Sequence, residues 1–335
     1  MKGCFVCKSG GRLPYVFREG RMEAVAREVE LPSEIITEHN LDAWRSFLSE
    51  VEVLFCTWDM LPLTGEQIDT FFPNLKVVFY AAASVRYFAR PFLERGIRVL
   101  TCHRIMAVPV AEFTLAVILL ANKGALQAMR GYRQEGYAAK RFSEQIYPGT
   151  YRTRVGILGA GAIGSRVIGL LRHHSVDVMV HDPFLSAERM QALGLTRTHS
   201  LPEIFSQCQT VSNHLADNAQ TRGLLDGSLF SLMSDNAAFI NTGRGAQVVE
   251  ADLIQALRDK PLRTAWLDVT DPEPVASDSP LLSMDNVFLF PHIAGYARDE
   301  VLMFPDFMID QLRRCKQGLP FEDCEVTLPM LETMA

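Results

Sequence analysis

The sequence predicts an α/β protein built as two doubly wound parallel-sheet domains. Three observations support this. At 335 residues, the chain is longer than the ~250–300 residues at which a single core usually splits. Short apolar runs alternate with helical patterns along most of its length, as in a sheet with crossover helices. One stretch, Val155–Gly164, joins an apolar run to three glycines spaced G-x-G-x-x-G and then to the apolar segment Val167–Leu171.

That stretch reads as a buried strand turning sharply into a helix. Gly159 permits the turn, Gly161 lets the backbone approach a pyrophosphate, and Gly164 lets the helix lie against the strand. The helix N-terminus offers unpaired N–H groups and partial positive charge to phosphates. Glycine spacing alone is weak evidence. A second element strengthens it: Val176–Asp182 reads as the next parallel strand and closes on Asp182. This carboxylate stands eighteen residues beyond Gly164, near the ~20 expected of a group that binds ribose hydroxyls. A carboxylate there repels a 2′-phosphate, so the expected cofactor is NAD rather than NADP. The plainer reading of Asp182 is a turn residue before Pro183.

Composition narrows the classes. A net charge of −6 argues against nucleic-acid and anionic-membrane partners. Seven scattered cysteines fit a reducing, cytoplasmic setting. Cys4 and Cys7 form a C-x-x-C without a second pair at zinc spacing, so core thiols are expected and no metal. Lys8, Arg12 and Arg18 interrupt any signal-peptide core. The longest apolar run, Phe113–Ala121, falls short of the ~20 residues of a membrane span.

Taken in order, Cys4–Cys7, Val53–Cys56, Leu75–Tyr80 and Val99–Cys102 read as strands of a first unit. Helices are expected over Arg21–Val29 and Gln67–Phe72. The turn Ala82, Ala83 and Ser84 after the third strand is a candidate for ligand contact through backbone N–H groups, or simply a tight strand–helix connection. Val108-Pro109-Val110-Ala111-Glu112 opens a helix past Ala121, with proline in its first turn, and reads as a crossing element. Residues 125–152 show little periodicity and read as a surface arm or oligomer contact. Further strands follow at Thr210–Leu215, Ala238–Thr242, Thr264–Val269 and Val287–Phe290. A last helix, Pro305 to Lys316, is expected to return to the first unit. The expected domains are 1–106 with 298–335, and 107–297.

Ligands of such sheets sit beyond the carboxyl ends of the strands. Arg244 follows one strand, Asp268 ends the next with Glu273 five residues on, and His292 follows the last. Guanidinium forks onto carboxylate, imidazole exchanges protons near neutrality, and a glutamate fixes the imidazole tautomer. Together these are the groups needed to reduce a 2-keto acid. Singly, each has a plainer reading: a solvated arginine, a turn glutamate, a capping histidine.

With these residues in view, the chain resembles the D-isomer-specific 2-hydroxyacid dehydrogenase family. The matching stretches are Val155–Gly164, Val180–Pro183, Asn241–Gly245, Leu267–Pro274 and Phe290–Gly295. The resemblance implies a Rossmann NAD-binding domain beside a flavodoxin-like substrate-binding (catalytic) domain, and a homodimer. It implies that Arg244 holds the substrate's carboxylate and carbonyl oxygen, that His292 donates the proton in reduction, and that Glu273 is its partner. Ala162 and Ile163 would present N–H groups to the pyrophosphate. Leu215, Thr242, Gly243, Asp268 and Gly295 would line the cofactor, Asp268 on the carboxamide. Ala82, Ala83 and Ser84 would contact the substrate, a 2-keto or 2-hydroxy acid of D configuration. The first domain departs most from the family pattern: Ala82–Arg86 replaces a glycine-rich turn with an aspartate, and His103–Met106 a smaller polar segment. Which acid is used is therefore open. An NAD-sensing, corepressor-like interaction protein is the alternative; the Arg–Glu–His set favours an enzyme. Formate dehydrogenases of this type generally lack the glutamate.

Overall fold

The computed structural model describes residues 1–332; residues 333–335, expected in the first domain, lie outside the described residues. The chain forms two compact units, one of residues 1–106 with the stretch from Tyr296 onward, the other Ala107–Gly295. Among the described residues the strands are β1 (Lys2–Phe5), β2 (Val51–Cys56), β3 (Val77–Tyr80), β4 (Arg98–Thr101), β5 (Thr153–Leu158), β6 (Val176–His181), β7 (Thr210–Asn213), β8 (Ala238–Asn241), β9 (Thr264–Leu267), β10 (Val287–Leu289) and β11 (Glu325–Val326).

The first unit has the strand order β1-β2-β3-β4-β11, with β11 antiparallel to β4 and the rest parallel. Alternate residues enter opposite cores, as the period of two requires. Leu54, Cys56, Val78 and Tyr80 face one cluster, Val53, Phe55, Val77 and Phe79 the other. Helix Met303–Lys316 covers the second face with Phe304, Met308, Ile309 and Leu312. Helix Gly65–Phe71 is started by a capping box in which Thr64 and Gln67 satisfy each other's backbone N–H groups, and it buries Ile68 and Phe71 on the first face. Cys4 and Cys7 are buried on opposite faces.

A further segment lies beside β1. Gly3 N–H donates to Glu30 O at 2.9 Å, Ile36 N–H to Phe5 O at 2.8 Å, and Cys7 N–H to Ile36 O at 3.0 Å. Both bridges are parallel. This is the position of the outer strand in a 2-1-3-4-5 order, reduced to isolated bridges because Pro32 in the segment lacks an N–H.

The second unit has the order β10-β9-β8-β7-β5-β6, all parallel. The chain runs from β5 to β6 on one side and returns to β7 on the other. The carboxyl ends of β5 and β7 therefore form the topological switch point. Helix Ala162–Leu171 packs Val167, Ile168 and Leu171 against Val155, Ile157, Ile240 and Trp266. Phe239, Leu267 and Val211 face the opposite cluster. Burying each such large apolar side chain contributes about 1.5–3 kcal/mol.

Three expectations need correction. The helix expected from Val108 runs from His103 to Asn122, so Pro109 lies inside it. Met106 N–H already donates to Cys102 O at 2.8 Å, and the helix leaves β4 directly; proline then costs one intrahelical bond. The same helix, unlike the 113–121 run, is long and apolar enough to cross a membrane by length and composition, but half of that window is buried inside the structure. Ala111, Val117, Ile118 and Ala121 belong to the core beside β5, which accounts for the apolar character. Residues 125–152 are partly regular: Ala125–Glu135 is an α-helix, followed by a 3-10 turn over Gly136–Lys140 and a wider π turn over Phe142–Ile146.

Candidate functional site

Each fingerprint glycine has a distinct structural reason. Gly159 has φ +84°, and a Cβ there would stand 2.7 Å from His214 O. A Cβ on Gly164 would stand 1.9 Å from Gly159 O, so only hydrogen lets the helix approach the turn. A Cβ on Gly161 would meet nothing within 4 Å. Its lack of a side chain is not demanded by protein packing, and open space lies in front of the helix start. No side chain caps that helix at Gly161. Ala162 and Ile163 begin it, placing their N–H groups where an anion is stabilised. A dinucleotide pyrophosphate fits this cradle.

Asp182 stands just beyond β6. Its carboxylate accepts from Ala160 N–H and from Phe184 N–H, each at 2.9 Å. It thus braces the glycine turn, and each oxygen retains a lone pair for a ribose hydroxyl.

At the end of β7, His214 is buried and makes two side-chain contacts. Nε2 lies 2.9 Å from Ser212 Oγ, and Nδ1 lies 3.5 Å from Thr242 Oγ1. Thr242 Oγ1 lies in turn 3.1 Å from Thr114 Oγ1. Burial depresses the His214 pKa to about 3, so the ring is neutral. Leu215 follows, its N–H donating to Asn213 Oδ1 at 3.2 Å.

The loop after β8 is shaped by buried amides. Asn213 and Asn241 are register partners on β7 and β8, and Asn213 Nδ2 donates to Asn241 Oδ1 at 3.0 Å and to Gln247 Oε1 at 2.6 Å. Gly243 N–H donates to Asn241 Oδ1 at 3.0 Å. A Cβ on Gly245 would fall 2.0 Å from the Thr270 carbonyl carbon, so glycine there lets this loop pack on the loop after β9. Arg244 is half-buried between them, with Nη1 donating to Gly243 O at 2.8 Å. Burial pulls its pKa down, while the carboxylates of Asp217 and Glu273 hold it up. It remains a guanidinium cation, with Glu273 near enough to be felt.

Asp268, 3% exposed, accepts from Ile293 N–H at 2.8 Å and Ala294 N–H at 2.9 Å. Its carboxylate therefore holds the loop after β10. His292 in that loop has φ +55°, a left-handed conformation that costs a non-glycine residue about 1–3 kcal/mol and persists where the surroundings over-determine it. The two Asp268 bonds lie immediately downstream. His292 Nδ1 is 2.5 Å from Glu273 Oε1, and both side chains are 42% exposed. A carboxylate only accepts, so Nδ1–H donates to it, and Nε2 is left for a ligand, as an acceptor in the neutral ring and as a donor in the imidazolium. Gly295 is buried at the end of this unit.

The second unit therefore brings Arg244, Glu273, His292, Asp268, Thr242, Gly243 and Leu215 to the carboxyl edge of its sheet, with the glycine turn and Asp182. Ala82, Ala83 and Ser84 belong to the first unit, beyond β3, where Thr101 Oγ1 donates to Ala82 O at 2.8 Å and Ala83 O at 3.1 Å. Arg104 of that unit pairs with Asp323. Thr114, Ser212, Asn213 and Gln247 were not singled out from the sequence. The one available signal is an asparagine close to the end of each of two successive expected strands, Asn213 and Asn241.

Residues 115–294 match the family model described as D-isomer specific 2-hydroxyacid dehydrogenase, NAD binding domain. The chain is 28% identical over 260 residues to D-3-phosphoglycerate dehydrogenase of Archaeoglobus fulgidus, covering 77% of this chain and 48% of that one. It is 31% identical over 224 residues to (S)-sulfolactate dehydrogenase of Chromohalobacter salexigens, covering 66% and 71%. A crystal structure of a phosphoglycerate oxidoreductase from Rhizobium etli shares the fold at TM-score 0.83 and 20% identity, over 98% of this chain and 99% of that one. The chain spans about half the length of the curated D-3-phosphoglycerate dehydrogenases it matches.

Proposed function

The chain belongs to the D-isomer-specific 2-hydroxyacid dehydrogenase family, and on that premise we propose that it transfers a hydride between NAD(H) and a 2-keto or 2-hydroxy acid of D configuration. The observation that supports this reading best is the His292–Glu273 pair at 2.5 Å on the same sheet edge as Arg244. NADH, when bound, supplies the hydride that reaches C2 of the keto acid. Arg244 forks onto the substrate carboxylate and steadies charge developing on the carbonyl oxygen. His292 delivers the Nε2 proton to that oxygen, and Glu273 stabilises the imidazolium and fixes the ring through Nδ1. Gly159, Gly161, Ala162, Ile163 and Gly164 seat the pyrophosphate, and Asp182 takes the ribose hydroxyls and rejects a 2′-phosphate. Leu215, Thr242, Gly243, Asp268 and Gly295 line the rest of the dinucleotide. Alignment of the reactants alone can lower the barrier by about 7–11 kcal/mol.

The test is a panel of 2-keto acids, glyoxylate and pyruvate included, followed by NADH absorbance. At least one acid is expected to be reduced. His292→Ala should then lose at least a hundredfold in kcat with NADH binding retained, and Arg244→Ala should mainly lower kcat/KM for the acid. Tight NADH binding with no reduction of any acid would overturn the enzymatic reading and favour a cofactor-sensing protein. The chain is further proposed to be soluble and cytoplasmic, with no nucleic-acid or membrane partner, and to form a homodimer through residues 125–152, where Met129, Tyr132 and Tyr137 are 51%, 61% and 72% exposed.

A further inference from the structure

Gln247 lies three residues beyond Arg244, fully buried, and every polar function of its side chain is used. Oε1 accepts from Asn213 Nδ2 at 2.6 Å and from Arg244 N–H at 3.4 Å. Nε2 donates to Leu215 O at 2.8 Å and Ala216 O at 2.9 Å. Asn241 Nδ2 grips the other side of the same residue by donating to Arg244 O at 3.1 Å. Both backbone polar groups of Arg244 are thus held by buried side-chain amides, and one of those amides also holds the loop after β7.

Leu215 and Ala216 follow the strand at the switch point, on the cofactor side. Arg244 faces the substrate carboxylate in the reading above, on which this inference rests. We propose that Gln247 is a positioning residue that locks these two loops into one body, so that the guanidinium is aimed by the same framework that lines the cofactor. An aliphatic side chain of similar volume would fill the space but release four hydrogen bonds, leaving two carbonyls and the Arg244 N–H without their buried partner. The released loop needs to drift only about 1 Å to cost on the order of a hundredfold in rate.

The experiment is a double-mutant cycle on the full chain with Gln247→Leu and Arg244→Lys, read as kcat/KM for glyoxylate or whichever panel acid is reduced best. Gln247→Leu is expected to lose about thirtyfold in the parent and less than threefold in the Arg244→Lys background, because its effect passes through the guanidinium. Gln247→Glu, which keeps the acceptor oxygen but sets a second oxygen against two carbonyls, should not restore activity. Equal losses in both backgrounds would make the residue merely structural and overturn the proposal. Backbone hydrogen exchange on the same proteins gives a readout without turnover. Gln247→Leu should speed exchange at least tenfold in peptides covering 213–217 and 241–247 together, with 292–294 unchanged. If the parent reduces no acid, the functional reading fails and the aiming of the guanidinium with it, while coupled loosening still upholds the locking of the two loops by Gln247. Unchanged exchange, or loosening of one loop alone, overturns it.

Discussion

His214 shows how much one residue's protonation state depends on its seat. Its pKa of about 3 lies below the ~6.5 of an exposed histidine. The unfolded chain therefore takes up a proton before the folded chain does. The stability this ring contributes is present above pH ~6.5 and is lost as pH falls toward 3, at about 1.4 kcal/mol per pH unit. By pH 5 the loss should reach about 2 kcal/mol. His214→Asn should flatten the fall in the urea-unfolding midpoint between pH 6.5 and 5; parallel curves for parent and variant would show that burial does not hold the ring neutral. At this scale the strand-end placement of the residues with distinctive chemistry was legible. Arg244, Glu273 and His292 each follow a strand in sequence, and a strand end is where such a sheet exposes its ligands. The contacts of Gln247 were not legible, because they depend on how the loop after β8 folds back toward Leu215.

Among the elements, the strand–turn–helix of the second unit makes the sharpest forecast, because a Cβ would meet backbone at one of its glycines and open space at another. Gly164→Ala sets a Cβ against the Gly159 carbonyl, and backbone cannot yield as a flexible side chain can. A loss of about 1–3 kcal/mol is expected, measured as a lowered thermal midpoint. Gly161→Ala meets no protein atom, so stability should stay near parental while NADH affinity, followed by its fluorescence, falls at least tenfold. If both variants lose stability alike, the division of roles is wrong. β1 to β10 were readable as elements because each lies in a short apolar run, with ends displaced by up to two residues, whereas the two-residue β11, Glu325–Val326, has no such run and was not. The crossing helix was misplaced at its start because proline marks a first turn by composition alone, whereas here the helix already leaves β4 before reaching Pro109. Helix Ala125–Glu135 leaves little apolar periodicity in the sequence because many of its side chains are polar and part-exposed, with Gly131 the residue it buries.

For the whole molecule, exposed Met129, Tyr132 and Tyr137 lead to an assembly state. Light scattering should return twice the 37.5 kDa of one chain, and Met129→Glu with Tyr132→Glu should return one; a parent that scatters as a single chain would end the dimer proposal. The two-unit division was foreshadowed by length and by the alternating pattern, but the outer segment beside β1 was not, since a strand broken by Pro32 leaves no apolar run to read. That interruption has a further bearing. A regular outermost strand offers a continuous row of donors and acceptors on which a neighbouring chain can template itself. Here the border carries only scattered bridges around a residue with no N–H, so this flank of the molecule is a poor seed for aggregation even when the protein is crowded.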